Sequence, residues 1–198
     1  MQVPKDDVRN KIIETATEEF FVNGYLHSSL RSIASQAGMT VGNLYSYFTG
    51  KDDLFENVVA PAWEKLYSLL SMEYTVYEST HTPTLFQITD LITHTFISNK
   101  AEFSILINGS KGSRYENVKS DITRILSRRL RTDLSTWQNG HDTDPLLADV
   151  LAASLLEGFI TIFNNYGGDI DRLRRLIQEL LIIMLGSFDR KLLSTDGR

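Results

Sequence analysis

Residues 40–55, TVGNLYSYFTGKDDLF, decide the fold of the N-terminal part of the chain. Thr40 is placed to cap a short third helix, because its hydroxyl can accept a hydrogen bond from an otherwise unpaired backbone N–H. The Thr-Gly pair further along predicts a turn, and Lys51 opens a fourth helix whose first turn is acidic. The third helix is therefore predicted over 41–48.

One side of this third helix is apolar, and the other is not. Val41, Leu44 and Phe48 share a side and are predicted to pack inward. The outward residues are small or polar, with two tyrosines: Gly42, Asn43, Tyr45, Ser46 and Tyr47. They include no acidic residue, so the outer face is suited to contact with an anionic partner.

A second short helix is predicted over 29–37, and Gly38 separates it from the third. Its apolar residues recur at helical spacing: Leu30, Ile33, Ala34 and Ala37. Two short helices joined by a glycine-containing turn have the dimensions of a helix-turn-helix, whose second helix enters the DNA major groove. This pair of helices therefore predicts a DNA-binding site.

The rest of the chain also carries helical periodicity. The first helix is predicted over 5–23, ended by Gly24, and the fourth over 51–77, where Pro61 should kink the helix or cost it a hydrogen bond. The further predicted helices span 84–98, 100–108, 113–138, 144–166 and 169–192. The sequence therefore predicts an all-α fold of about nine helices.

Composition sets wider limits. The 198 residues are 42% apolar and 23% charged, as in ordinary globular proteins. The chain has no cysteine, which fits a reducing cytoplasm, and we expect neither a membrane helix nor a signal peptide. The net charge is −5, and the first 51 residues balance five basic against five acidic side chains. DNA affinity must then come from a few well-placed contacts rather than from a basic domain.

The motif GY-x4-LRSIASQAGMTVGNLYSYFTGKDDL, from Gly24 to Leu54, resembles the signature of the TetR family of bacterial transcription regulators. The resemblance begins at about Ile12, has no gaps and covers the N-terminal quarter of the chain. It implies a helix-turn-helix domain over 1–50 and a larger helical domain over 51–198 for effector binding and dimerisation. It also implies a ligand-responsive repressor that binds a palindromic operator as a dimer in the cytoplasm.

The resemblance assigns roles at the DNA. The residues implied in phosphate contacts are Ser29, Arg31, Thr40, Tyr45, Tyr47 and Lys51. Gly42 would let the DNA backbone come close, Ser46 belongs to the same face, and Asn43 could pair with an adenine edge. Many members carry a basic or longer polar residue where this chain has Val41. A valine at this position can contact only the methyl group of a thymine, so more of the DNA recognition depends on DNA shape.

The last two long helices carry more apolar surface than one face can use, which predicts a partner. The resemblance implies a two-fold dimer through both helices. The residues assigned to that interface are Leu147, Leu151, Ser154, Leu155, Gly158, Ile177, Leu181, Met184 and Phe188. The alternative from the residues alone is that both helices are central in the monomer.

Between residues 84 and 137, apolar bulk alternates with hydroxyls. The resemblance implies an effector pocket there, suited to a small apolar or aromatic compound. Its assigned residues are Phe86, Thr89, Thr93, Phe96, Phe103, Ile107, Tyr115 and Trp137. Each of them also fits an ordinary core position.

Other readings of the chain remain open or weak. A regulator controlled by a protein partner instead of a small molecule is the main alternative. The arginines of ILSRRLR, at 124, 128, 129 and 131, suit a solvated face better than a second nucleic-acid patch. The four histidines lack metal-ligand spacing, and no catalytic arrangement is apparent. We therefore expect no enzyme activity, no metal and no cofactor.

Overall fold

The computed structural model describes residues 5–71, 85–137 and 144–185, with the backbone alone at 133–137 and 185. Within these ranges it contains helices and no strand, which confirms the all-α prediction. The helices are α1 Lys5–His27, α2 Leu30–Gln36, α3 Val41–Leu44, α4 Lys51–Ser71, α5 Leu85–Ile97, α6 Lys100–Asn108, α7 Val118–Trp137, α8 Pro145–Asn165 and α9 Ile170–Leu185. The predicted extensions of α4 to 77 and of α9 to 192 lie outside the described residues.

Three described boundaries differ from the prediction by more than one residue. Helical geometry in α1 breaks at Gly24 (φ 66°, ψ 171°), but hydrogen bonding resumes and carries the helix to His27. The α-helical part of α3 ends at Leu44, because i to i+3 bonds tighten the chain beyond it, including 3.0 Å from Tyr47 N to Leu44 O. Turns fill the chain before Val118, so α7 begins later than position 113.

The chain divides into two compact units. The first comprises Met1–Tyr67 and Ser98–Val118, and the second comprises Ser68–Ile97 and Lys119–Arg198. The predicted helix-turn-helix domain therefore lies within the first unit, which also includes α6.

The first unit is built on the apolar stripe of α1. Ile12, Ala16 and Phe20 are completely buried, in agreement with their helical spacing. The Phe20 ring meets the Phe55 ring edge to face at 4.9 Å, and the Tyr25 ring does so at 5.0 Å. Such aromatic pairs add about 1 kcal/mol each beyond their buried area. This cluster joins the end of α1 to α4.

The backbone at the end of α1 meets the backbone at the end of α6 at two glycines, Gly24 and Gly109. Tyr25 N–H donates to Gly109 O at 2.7 Å, and a Cβ at Gly109 would lie 3.0 Å from Ile105 O and 3.4 Å from Phe20 O. The surrounding atoms are backbone, so they cannot move aside as a flexible side chain would. The contact therefore requires the absence of a side chain at Gly109.

The second unit packs α5 and α8 against α9. Thr89, Thr93 and Phe96 form the buried face of α5, and the Phe96 ring stacks on Phe163 of α8 at 3.8 Å. Gly158 allows α8 to approach α9 closely, since a Cβ there would lie 2.8 Å from Leu180 Cδ2. The small residue on α8 thus serves packing within the chain.

By length and composition, α8 alone among the described helices could cross a membrane. Asp149 and Glu157 interrupt its apolar sequence, and Leu155 and Leu156 are buried in the protein. Leu146, Leu147 and Val150 are exposed on the same helix. Because such a surface also suits a partner protein, the apolar character of α8 is weak support for a membrane span.

We expect Gly109→Ala to lower the free energy of unfolding by about 1–3 kcal/mol, because the new methyl group overpacks a backbone contact. Gly50→Ala is the matched control, since a Cβ there meets nothing within 4 Å. It should change stability by about 0.5 kcal/mol or less. Urea unfolding followed by circular dichroism compares the two, and equal stability losses would contradict the close contact.

Candidate nucleic-acid interface

The helix-turn-helix begins with a capped α2. Ser29 is extended (φ −137°, ψ 146°), and its Oγ accepts a hydrogen bond from Ser32 N at 3.1 Å. On the other side of α2, the buried Glu19 accepts from Ser32 Oγ at 3.0 Å and from Gln36 Nε2 at 2.7 Å. These bonds fix α2 on α1 through polar contacts.

The turn before α3 and the N-terminal cap of α3 are also fixed by local backbone geometry and a hydroxyl group. Gly38 takes a left-handed φ of 73°, which suits glycine, and Thr40 Oγ1 accepts from Asn43 N at 3.1 Å. A capping hydroxyl uses an oxygen lone pair and keeps its own hydrogen. Ser29 and Thr40 can therefore cap their helices and still donate to a phosphate.

Along α3 and the turn that follows it, the inner and outer sides separate as predicted. Leu44 and Phe48 are buried, whereas Gly42, Asn43 and Ser46 are exposed. The Tyr45 ring is 55% exposed, and Tyr47 is half-buried. Val41 is also half-buried, so it belongs wholly to neither side. A small polar surface with two phenols therefore projects from a fixed support.

Lys51 is held more tightly than the sequence indicates. Its ammonium donates to Tyr25 O at 2.8 Å and to Ser28 O at 3.1 Å, and lies 4.2 Å from the centre of the Tyr25 ring. An ammonium has three N–H donors, so one is left for a phosphate. The predicted phosphate contact stays a prediction, and Lys51 also fastens the end of α1 to the start of α4.

Two carboxylates lie in the first turn of α4. Asp53 accepts from Thr49 N at 2.7 Å, which joins the preceding turn to the helix, and Asp52 accepts from Tyr25 Oη at 2.5 Å. Burial, followed by this bond and the charge of Asp52, raises the pKa of Tyr25 to about 12. The phenol therefore stays protonated as the donor at neutral pH. The negative charge of both carboxylates disfavours a phosphate at this helix end, although the helix N-terminus itself favours an anion.

Two cations near the second and third helices have no acidic partner within the described ranges. Arg31 is exposed on α2, as expected for a phosphate contact. Lys11 was not predicted: it is exposed on α1, and its Nζ lies 3.9 Å from the position that a Cβ at Gly38 would take. Its spacing places it beside the buried stripe of α1, but only the orientation of α1 brings it to the turn.

The residues assigned to an effector pocket fall in different parts of the molecule. Thr89, Thr93 and Phe96 lie together on the buried side of α5, while Phe86 is 60% exposed. The remaining described ones belong to the first unit, and these are Phe103, Ile107 and Tyr115. The Trp137 side chain lies outside the described residues.

The residues assigned to the dimer interface also separate. Three of them are buried within the chain, and these are Leu155, Ile177 and Leu181. The others are half-buried or exposed, namely Leu147, Leu151, Ser154, Gly158 and Met184. Phe188 lies outside the described residues. The set thus mixes residues buried within the chain with surface open to a partner.

Residues 12–58 match the family model of bacterial regulatory proteins, tetR family. A search of the curated proteins found no match. Solved structures are similar in fold. The SmeT repressor of the Stenotrophomonas maltophilia efflux pump SmeDEF aligns with TM-score 0.63 at 17% identity, covering 96% of this chain and 94% of that chain. A transcriptional regulator from Aquifex aeolicus aligns with TM-score 0.61 at 19% identity, covering 89% and 99%.

A third structure, the TetR family regulator PfmR from Thermus thermophilus, aligns with TM-score 0.59 at 18% identity, covering 87% of this chain and 96% of that chain. At these identities the structures establish the fold, and the family model accounts for the N-terminal motif. Together they confirm the resemblance found in the sequence, and with it a DNA-binding regulator of transcription.

We expect Lys11→Gln to reduce the salt dependence of DNA binding. Loss of one phosphate contact lowers the slope of log K against log salt by about 1 per subunit. Electrophoretic mobility shifts over a salt series measure that slope.

Lys111→Gln removes an equal charge from an exposed lysine after α6 and is the matched control. If Lys11 only interacted with the end of the α2 dipole, the melting temperature would fall and the slope would stay unchanged. That result would contradict the assignment.

Proposed function

We propose that this chain, a member of the TetR family of bacterial regulatory proteins, is a ligand-responsive repressor that binds a palindromic operator as a dimer. The observation that carries the proposal is the outer face of α3, where Asn43 and Tyr45 are exposed above buried Leu44 and Phe48. A regulator needs such a face, and the core beneath it fixes its orientation.

The contacts divide into two classes. Ser29, Thr40 and Tyr47 have hydroxyls that suit phosphates, and such contacts position the protein without selecting a sequence. Asn43 is the residue that we assign to base readout, because an amide can pair with both N6 and N7 of adenine. The open space around Gly42, where a Cβ would meet only Thr40 Oγ1 at 3.9 Å, leaves room for the DNA backbone.

We assign dimerisation to the exposed apolar surface of α8 and α9. Leu147, Val150 and Ser154 share one side of α8 and are exposed, and Ile183 of α9 is 76% exposed. Ile177 of α9 is fully buried within the chain, so it anchors α9 in the protein beneath this surface. A two-fold dimer would present two α3 helices to successive major grooves, which explains why a palindromic operator is expected.

We assign the effector response to 51–198 and DNA binding to 1–50. Thr89 supports an effector site on the inner side of α5: it is completely buried, and its hydroxyl has no hydrogen-bond partner in the described part of the chain. A buried hydroxyl without a partner is costly, and a ligand could supply one. The neighbouring Phe96 and Thr93 suit a small apolar or aromatic compound with one polar group.

Repression would then be relieved by a shift of population. A ligand changes DNA affinity only by as much as it prefers the conformation that binds DNA poorly, and DNA must weaken ligand binding by the same factor. Such a regulator acts where its operator is, so we place it in the cytoplasm.

For the DNA contacts, we expect Asn43→Ala to relax preference at one base position in each half-site, losing about 1–3 kcal/mol of discrimination. Tyr47→Phe removes only a hydroxyl and should weaken binding to all sequences alike. Selection from a randomised duplex library, followed by sequencing, measures both effects.

The pair of variants distinguishes the two classes of contact. Both substitutions leave Leu44 and Phe48 in place, so circular dichroism should match the parent. An unchanged base preference in Asn43→Ala would remove this residue from base readout. If neither variant altered any DNA binding, the interface would lie elsewhere.

For the dimer, we expect Val150→Glu to raise the dissociation constant at least about a hundredfold, since a carboxylate would be buried without a partner. Val22→Glu makes the same change at a valine of α1 that is 78% exposed. It should remain dimeric in sedimentation velocity runs.

DNA affinity should fall in Val150→Glu, because its dimer is weakened, and should stay unchanged in Val22→Glu. A Val150→Glu protein that sediments as the parent does would contradict the assigned surface. A parent protein that is monomeric alone would instead favour control by a different protein docking on the same apolar face.

A further inference from the structure

A charged groove lies between α7 and α8 within the second unit. Its volume is about 530 Å³, within the range of small-molecule sites. Its lining residues are Lys119, Ser120, Thr123, Arg124, Ser127, Arg128, Arg131, Asp149, Ala153, Leu156 and Glu157. Four of these are cationic and two are acidic, so the groove has a surplus of positive charge in a chain of net charge −5.

The cations come from one stripe of α7. Arg124, Arg128 and Arg131 are four and three residues apart, so they share a side of the helix. The positions three and four residues from Arg128 are two arginines, an isoleucine and a threonine. None is acidic, and like charges at this spacing repel. The helix itself therefore offers Arg128 no compensation.

Both acidic side chains of the groove already interact with neighbouring basic or hydroxyl groups. Asp149 accepts hydrogen bonds from Ser127 Oγ and from Arg131 Nη2, the latter at 2.8 and 3.0 Å. The bonds from Ser127 and Arg131 hold the pKa of Asp149 below its usual value, so it stays ionised and bound to them. Glu157 lies 3.8 Å from Lys119. Neither carboxylate neutralises Arg128.

Arg128 is the cation that stands apart. It is exposed, and over the described ranges its guanidinium group makes no hydrogen bond or ion pair. Arg124 pairs at 2.7 Å with Asp121, which lies outside the groove lining, and keeps further N–H groups. Two planar guanidinium groups one helical turn apart can hold an oxyanion between them.

We propose that this groove binds a small molecule that carries a phosphate group. The phosphate would lie against Arg128 and Arg124, and Ser120 would supply a hydroxyl. Leu156 and Ala153 would contact an apolar part of the same molecule. Asp149 and Glu157 also line the groove, and their negative charge disfavours a long polyanion that would run along its whole length. The groove shares no residue with the predicted DNA contacts.

Isothermal titration with phenyl phosphate tests the site, at constant ionic strength maintained with sodium chloride. We expect saturable binding to the parent protein, with a dissociation constant of about 1 mM or lower. Arg128→Gln should weaken it at least about tenfold. Arg175→Gln is the control, because Arg175 is an exposed arginine of α9 outside the groove, and it should leave the constant unchanged.

The outcomes separate clearly. Equal affinity of the parent and Arg128→Gln would overturn the proposal, as would the absence of saturable heat with the parent protein. So would a result in which Arg128→Gln lost affinity only for duplex DNA, since that would make the stripe a nucleic-acid contact. Arg128 lies on the surface and no described partner holds its side chain, so its loss should leave the melting temperature unchanged. Operator binding by α3 is measured separately and can succeed or fail without affecting this result.

Discussion

The orientation of the helix-turn-helix depends on the ammonium group of Lys51. By donating to the carbonyls of Tyr25 and Ser28, it closes the end of α1 against the start of α4. Tyr25 completes the junction, because its ring packs on Phe55 and its phenol donates to Asp52. Helices α2 and α3 lie in the chain between these two anchored points, so their position follows from a junction that they do not themselves form.

The same junction connects to α6. The backbone N–H of Tyr25 donates to Gly109 O, so one residue contributes its backbone, ring and hydroxyl to three different contacts. Polar and aromatic contacts of this kind are directional, unlike apolar packing. The first unit is therefore held in one geometry by directional contacts as well as by the burial of apolar side chains. A surface that must match DNA to within a hydrogen bond needs such a support.

Much of the fold and part of the site followed from local sequence patterns. The stripe of Ile12, Ala16 and Phe20 and the cap at Thr40 depend on neighbours within one or two turns, and both are present. What local patterns did not predict depends on residues that are far apart in the chain. The approach of Lys11 to Gly38 and the burial of Ile177 are set by how helices pack, and periodicity does not give that. Periodicity also does not distinguish a helix face that packs against α9 from one that remains free for a partner protein.

The shortness of α3 has a consequence for how such proteins diversify. A helix of four residues, Val41–Leu44, is too short to be stable by itself, so its shape is imposed by Leu44, Phe48 and the cap. Asn43 and Ser46 are exposed and add nothing to that core. New side chains there cost almost no folding stability. A lineage could therefore change the outer face of α3 in successive steps that leave the scaffold and its stability unchanged.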